Sequence, residues 1–477
     1  MSKLGRFFHR RWPRRLAILF LVLVVGLLIT RFVIRYRGQS KLEDQIAALD
    51  ASDPRWRWED IEADLPKIPD AENSALLVPK VIAARGGNQN FTVKWEKNPN
   101  PNIDAAPNHF LSPEEAAAVD DVLKDQDAAL AIALSFQKYP RGRHALTLLP
   151  DSPTAETPHL KPVRTVASLL EFDMERIAVA DRTDDALARV PALLSVARSL
   201  DAEPALPSQI VRCVITGRTV LSIERVLAMG APKNDLAALQ RQFLAEGEVD
   251  RYTAGIRGER AAMHRLCQRF ATGETSVANW SETLNPAGNT SNRDTSSPNI
   301  FGHMLNWATV GTFLPVNHAK WLEITTKAAA VSNLPEDERF GSLPNMRAPF
   351  DPEIVLVRLQ FPAMQKLLAT ELRVRAHLRC AAVALALERY RIQNGRWPAS
   401  LAEVPKNLLH EVPSDPFTDK PLKLKVRGDG ITVYSVGINK KEDVARPELD
   451  KGSFKDDVAF RLYNPDQRRL PPLQKKE

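Results

Sequence analysis

The stretch LAILFLVLVVGLLIT, residues 16–30, contains no charged side chain and decides how the rest of the chain is organised. A shorter apolar patch follows Arg31 and ends at Ile34. An α-helix rises about 1.5 Å per residue, so about 20 residues cross a hydrocarbon core of roughly 30 Å. The segment from Leu16 to Ile34 reaches that length if Arg31 extends its side chain to the headgroups. The sequence therefore predicts a single transmembrane helix over residues 16–34, anchored at Leu16 and Ile34.

Residues 1–15 form a basic leader without an acidic side chain. Because cytoplasmic flanks of membrane helices are rich in Lys and Arg, we expect the leader in the cytoplasm and the bulk of the chain outside it. The predicted location is the inner membrane of a bacterium. A cleaved signal peptide is the alternative. The nearest small-residue site, Gly38-Gln39-Ser40, follows three arginines, which favours an uncleaved anchor.

The net charge of +7 belongs to the N-terminal part of the chain. Residues 1–41 hold 10 of the 65 basic side chains and none of the 58 acidic ones. The remainder therefore has 55 basic and 58 acidic side chains, a formal charge of −3. This distribution argues against nucleic acid as a partner and indicates contact of the leader with the lipid bilayer.

The chain beyond the span divides into regions of different pattern. We predict a juxtamembrane and linker region over 35–110, a helical domain over 111–271, a flexible polar loop over 272–299, a helical segment and linker over 300–350, and a C-terminal unit over 351–477. Apolar periodicity and capping signals predict helices over 113–138, 162–182, 184–201, 207–229, 233–247 and 248–271. No fixed-period repeat is present, so an irregular helical bundle or an array of helical hairpins is expected.

The C-terminal unit has the clearest local pattern. An apolar stripe from Leu372 to Tyr390 predicts a long helix that ends at Asn394-Gly395. Alternating residues on both sides of Gly428-Asp429-Gly430 predict an antiparallel β-hairpin, and residues 458–463 alternate like a third strand. The predicted fold class is therefore mainly α, with an N-terminal transmembrane helix and a small C-terminal α+β module.

This unit carries three motifs in order: ALERYRIQNGRWPASLAEV (386–404), VPSDPFTDKPLKLKV (412–426) and VYSVG (433–437). With them, residues 370–460 resemble the C-terminal globular domain of the major pseudopilins of type II secretion. The resemblance implies protein–protein contacts through a sheet edge or a loop, with other membrane or secretion proteins as partners. The whole chain also resembles uncharacterised single-anchor bacterial membrane proteins with the same tail.

The pseudopilin family has a calcium loop after the third motif. The resemblance gives Asn439, Glu442, Asp456 and Asp457 as candidate ligands in this chain, although lysines stand among them. Calcium takes six to eight oxygen ligands, and a solvated charged loop is the alternative. The chain departs from the family because its apolar segment has no glutamate and no cleavage site precedes it. We therefore do not expect a pilus subunit.

The sequence offers little for catalysis. None of the nine histidines has a metal-ligand spacing, and no nucleophile motif or phosphate-binding loop is present. His264 and His303 are the side chains that could line a pocket together. We therefore predict a membrane-anchored extracytoplasmic protein of binding or assembly type, with no catalytic residue and no cofactor other than calcium. The alternatives are a membrane-tethered hydrolase with a site near His264 and His303, and an accessory component of a secretion apparatus.

Overall fold

The computed structural model describes residues 4–86, 106–148, 155–275, 300–344, 354–442 and 457–473. The fold is mainly α, as predicted. The helices are Leu4–Ser52 (α1), Trp58–Asp64 (α2), Leu77–Ala84 (α3), Pro113–Leu123 (α4), Asp127–Ser135 (α5), Leu160–Val179 (α6), Thr183–Leu187 (α7), Val190–Arg198 (α8), Leu206–Met229 (α9), Ala237–Gly247 (α10), Tyr252–Thr272 (α11), Ile300–Ala330 (α12), Glu336–Arg339 (α13) and Val355–Asn394 (α14). The strands are Thr147–Leu148 (β1), Ala155–Glu156 (β2), Lys423–Arg427 (β3), Gly430–Ser435 (β4) and Val458–Tyr463 (β5).

The N-terminal helix α1 continues well beyond the predicted span. Within the described ranges, its part Arg15–Ser52 is the helix long and apolar enough to cross a membrane. Side chains of the apolar segment are exposed, among them Leu16 at 60% and Phe32 at 69%. Further along the same helix, Leu42 and Leu49 are buried. The predicted juxtamembrane region thus begins as the second half of α1, which contributes side chains to the protein core.

Helix α12 packs lengthwise against α1 and runs in the same direction. Arg31 Nη1 donates to Thr312 Oγ1 at 3.1 Å, and about two turns further along α1, Gly38 lies against Val316. A Cβ atom on Gly38 would lie 2.9 Å from the backbone nitrogen of Val316, so this approach requires glycine. Because α12 begins at Ile300, about 18 Å of helix precede Thr312.

The helical region is cut into shorter helices than its periodicity predicts. The predicted helix over 113–138 is α4 and α5, because Asp125 between them has a left-handed backbone with φ of 56°. The predicted helix over 184–201 is α7 and α8, because Pro191 in the first turn of α8 starts a new helix.

A three-stranded antiparallel sheet of order β3-β4-β5 packs against α14. Gly428 and Asp429 form the two-residue turn that pairs Arg427 with Gly430, and β5 adds the third strand. On its outer side, the backbone N–H of Arg461 in β5 donates to Glu224 of α9 at 3.0 Å. The predicted α+β module with an antiparallel hairpin is confirmed.

One apolar core joins the helices and the sheet. It includes Leu42 of α1 and Leu462 of β5, and the free cysteines Cys213, Cys267 and Cys380 are buried in it. The division into domains stays a prediction.

Candidate functional sites

The predicted calcium ligands lie between β4 and β5. Asn439 Oδ1 accepts a backbone N–H of its own turn at 2.9 Å, and the carboxylate of Glu442 is paired with Lys423 Nζ. Asp457 directly precedes β5, and Asp456 lies outside the described residues. In the described part of the loop these side chains do not form a cluster of three acidic ligands. Calcium binding therefore stays a prediction.

A surface groove of about 400 Å³ lies beside this turn. Its walls include Phe340, Phe417 and Ile438. Lys440 also lines it, and Lys440 Nζ donates to the backbone oxygen of Asp337 at 2.9 Å. Phe417 belongs to the second pseudopilin-like motif, and Ile438 directly follows the third. The motif residues thus contribute apolar surface to a groove that is open to solvent.

The aspartate of the second motif holds these motifs together. Asp415 is 3% exposed, and its Oδ1 accepts from the hydroxyl of Ser435 at 2.8 Å and from the N–H of Phe417 at 2.9 Å. Its Oδ2 accepts from the N–H of Val436 at 2.9 Å. A carboxylate with three short hydrogen bonds inside the protein is a structural tie between the turn and the end of β4.

His264 of α11 faces His318 of α12. His264 Nδ1 is 2.8 Å from His318 Nε2, so one ring donates its proton to the other. The two residues are 3% and 4% exposed. The ring of Trp56 packs edge-on against His264 at a centroid distance of 4.5 Å. Burial lowers the pKa of His264 to about 4 and that of His318 to about 3, so both are neutral at pH 7.

Charged residues surround the same junction of α1, α11 and α12. Asp53, just past the end of α1, accepts from Arg260 at 2.5 Å and from Arg257 at 2.8 Å. Trp56 Nε1 donates to Asp50 at 2.8 Å. The arrangement joins the helices, and His264 has little access to solvent. The side chain of His303 lies outside the described residues, so the pocket predicted from His264 and His303 stays untested.

Two acidic residues of α6, Glu171 and Glu175, form ion pairs with another helix that the sequence alone does not indicate. Glu171 accepts from Arg218 Nε at 2.9 Å, and Glu175 accepts from Arg225 Nη2 at 2.8 Å. Both arginines lie on α9, two turns apart, and all four residues are buried. These ion pairs connect α6 with α9 and leave no carboxylate of the two for acid–base chemistry.

A third cluster, which no sequence motif predicts, consists of His144, His159 and Glu203. The two imidazole rings are stacked with a centroid distance of 4.1 Å and an interplanar angle of 10°. His159 Nε2 lies 2.9 Å from a carboxylate oxygen of Glu203. One ligand atom from each residue lies within 4.8 Å of those of the other two. Within the described ranges, these three residues form the group of His, Cys, Asp or Glu side chains that could hold a metal ion.

The segments that carry this cluster are fixed by buried amides. Asn73 accepts from the N–H of Arg143 at 2.9 Å and donates to its carbonyl at 3.0 Å, which positions the residue before His144. Gln209 of α9 donates to the backbone oxygen of Glu203 at 2.7 Å and to that of Leu200 at 3.2 Å. Loops held in this way keep their side chains in place at little further entropic cost.

Burial and the neighbouring ring lower the pKa of His144 to about 3, so its imidazole is neutral. A neutral imidazole nitrogen is the form that binds metal ions. The ligand residues lie 15 and 44 positions apart, before β1, before α6 and between α8 and α9. No spacing motif could have revealed them, since the fold alone brings them together.

Comparison with known proteins adds no relative. No family model, no curated protein and no solved structure matches the chain. What the residues themselves define is a mainly helical protein with one N-terminal helix of membrane-spanning length and a C-terminal α+β module.

Proposed function

We propose that this chain is a single-pass protein of the bacterial inner membrane, with its N-terminus inside and its folded part outside, and that it acts by binding or assembly. The main observation in support of this proposal is that α1 runs from the apolar segment into the protein core as one helix. A cleaved signal peptide has no such role in the mature fold.

The packing of α1 supports an uncleaved anchor. Cleavage after Ser40 would remove Gly38 from Val316 and Arg31 from Thr312. The face of α12 that these residues cover would then be exposed to solvent. Burial of apolar surface is worth about 25 cal/mol per Å², so losing this contact is unfavourable.

The exposed apolar side chains of α1 support a lipid partner. Leu19, Phe20 and Val22 are each exposed by about two thirds of their surface, 69%, 68% and 65%. Soluble proteins rarely expose a contiguous apolar patch of this kind, and acyl chains cover it in a membrane.

The groove beside the C-terminal module supports a binding role. The apolar walls from Phe340, Phe417 and Ile438 suit a protein segment that has apolar side chains. The open edge of the sheet is β3, which pairs with β4 alone among the described strands. Edges of this kind accept an added strand from a partner. The resemblance to pseudopilins makes secretion or other membrane proteins the partner class to examine first.

The membrane assignment is tested with a full chain that carries one tag at each end. We expect both tags on a single membrane-bound product of full length. Protease added to intact spheroplasts should remove the C-terminal tag and spare the N-terminal tag. A shorter product that has lost the N-terminal tag, or a C-terminal tag protected in spheroplasts, would refute the anchor or its orientation.

The binding role is tested in the same cells with a photo-crosslinker placed at one position at a time. Ser342 lines the groove, and Lys161 at the start of α6 is an exposed control position. We expect a discrete protein adduct at Ser342 and none at Lys161. Adducts that are equal at both positions, or absent at both, would argue against the groove as a binding surface.

A further inference from the structure

We propose that His144, His159 and Glu203 bind one divalent transition-metal ion, for which Zn²⁺ is the probe. This inference is independent of the membrane anchor and of the groove. It rests on the identity of the three side chains, on their mutual distances and on the buried His144 Nε2, which has no hydrogen-bond partner among the described residues.

The donor set suits zinc and related ions. Two imidazoles and one carboxylate are the ligands of several zinc and non-haem iron sites. Neither thiolates nor a ring of carboxylates is present, so the set differs from those of cluster-type and calcium sites. The chemistry of the ligands therefore selects a borderline cation such as Zn²⁺.

The three ligand atoms are close enough for side-chain rotations to complete a site. In a tetrahedral site with metal–ligand bonds of about 2.1 Å, the ligand atoms lie about 3.4 Å apart. The three atoms here lie within 4.8 Å of one another, and the pair from His159 and Glu203 is at 2.9 Å. The rings of His144 and His159 are stacked with an interplanar angle of 10°, so their lone pairs run nearly parallel. Rotation of the two rings, with ligand-atom movements of up to about 1.4 Å, would direct both lone pairs to one ion.

The cluster contains a buried nitrogen that lacks a hydrogen-bond partner. Among the described residues, His144 Nε2 is buried without one, whereas Glu203 Oε1 lies 2.9 Å from His159 Nε2. Glu203 is 1% exposed, and buried charges in proteins are paired or coordinate metal ions. A metal ion would supply a positive charge beside Glu203 and would accept the lone pair of His144, which the contact between His159 and Glu203 leaves without a partner.

Three protein ligands would leave one position of a tetrahedral site open. His144 and His159 are partly exposed, whereas Glu203 closes the inner side. Structural zinc sites have four protein ligands, whereas sites that act on a ligand have three and one open position. Three ligands among the described residues correspond to the second type, with the fourth position open to water or to a small anionic ligand.

The test measures Zn²⁺ binding to the full chain purified in detergent and stripped with a chelator. Calorimetric titration and metal analysis after dialysis should give one equivalent of Zn²⁺ for the wild type. His144→Ala and Glu203→Gln should each lose stoichiometric binding. His410→Ala, at an exposed histidine, is the matched control and should keep one equivalent.

Circular dichroism shows whether the variants are folded, and Glu203→Gln preserves the side-chain shape. A second readout is thermal unfolding, in which Zn²⁺ should raise the melting temperature of the wild type and of His410→Ala, but not that of the two site variants. Co²⁺ should give the visible absorption of a tetrahedral centre with the wild type, but not with His144→Ala or Glu203→Gln. The proposal is overturned if the wild type binds no Zn²⁺, or if His144→Ala and Glu203→Gln retain one equivalent.

Discussion

Acid should weaken the junction of α1, α11 and α12, because His264 and His318 are held there as neutral rings. The pKa of each is lowered by burial, from 6.5 to about 4 for His264 and to about 3 for His318. Below pH 6.5 the unfolded chain therefore binds protons that the folded chain does not bind. The free energy of unfolding falls as the pH is lowered from about 6.5 towards 4.

The size of the effect follows from the two pKa values. One pH unit corresponds to about 1.4 kcal/mol for each group that is protonated in the unfolded chain only. Between pH 7 and pH 5 each ring then contributes a loss of about 2 kcal/mol, so the pair contributes about 4 kcal/mol. A typical free energy of unfolding is about 5–15 kcal/mol, so this loss is a large fraction of the total.

The assay compares denaturant unfolding of the detergent-solubilised protein at pH 7 and at pH 5. The double variant His264→Gln/His318→Gln removes both titrating rings and keeps a donor and an acceptor at each position. Its loss of stability between the two pH values should be smaller than that of the wild type by about 4 kcal/mol. His410→Gln, at an exposed histidine, should behave like the wild type. An equal pH dependence in the double variant and the wild type would refute the reasoning.

Two further predictions concern packing. Glu171→Gln should destabilise the protein by about 3–5 kcal/mol in denaturant unfolding, because the buried Arg218 loses the negative charge of the carboxylate that it contacts. Glu171→Leu/Arg218→Leu should recover most of that loss, and a double variant as unstable as the single one would contradict this account. Gly38→Leu should lower the melting temperature, because the new side chain collides with Val316 of α12. Gly26→Leu, at a glycine whose added Cβ would meet nothing within 4 Å, should leave the melting temperature unchanged. Equal effects at the two glycines would contradict the close approach of α1 and α12.

The parts of the fold that the sequence predicts are those with a local signal. The apolar run ending at Ile34 gives the membrane-length helix, and the turn Gly428-Asp429-Gly430 between alternating residues gives the hairpin. Periodicity predicts that helices exist but not where they break. The break at Asp125 depends on a single left-handed residue, which the apolar pattern does not register.

The candidate metal site could not be predicted from the sequence for a different reason. His144, His159 and Glu203 have no periodic relation, and each lies outside regular helices and strands. Their convergence depends on how Asn73 and Gln209 fix two separate loops. The partners of the α6 carboxylates were hidden in the same way, since an ion pair between two helices depends on their register.

The same register argument bears on how the N-terminal helix and the folded part are related. α12 contacts α1 at Arg31 and at Gly38, and α1 is buried again at Leu42 and Leu49, a length of about 27 Å at 1.5 Å per residue. A flexible tether would let the folded part rotate freely about α1, whereas contacts over this length restrict both tilt and rotation. The polar junction at Asp53 and Arg260 fixes the register at the far end. The folded part therefore has a set orientation with respect to α1.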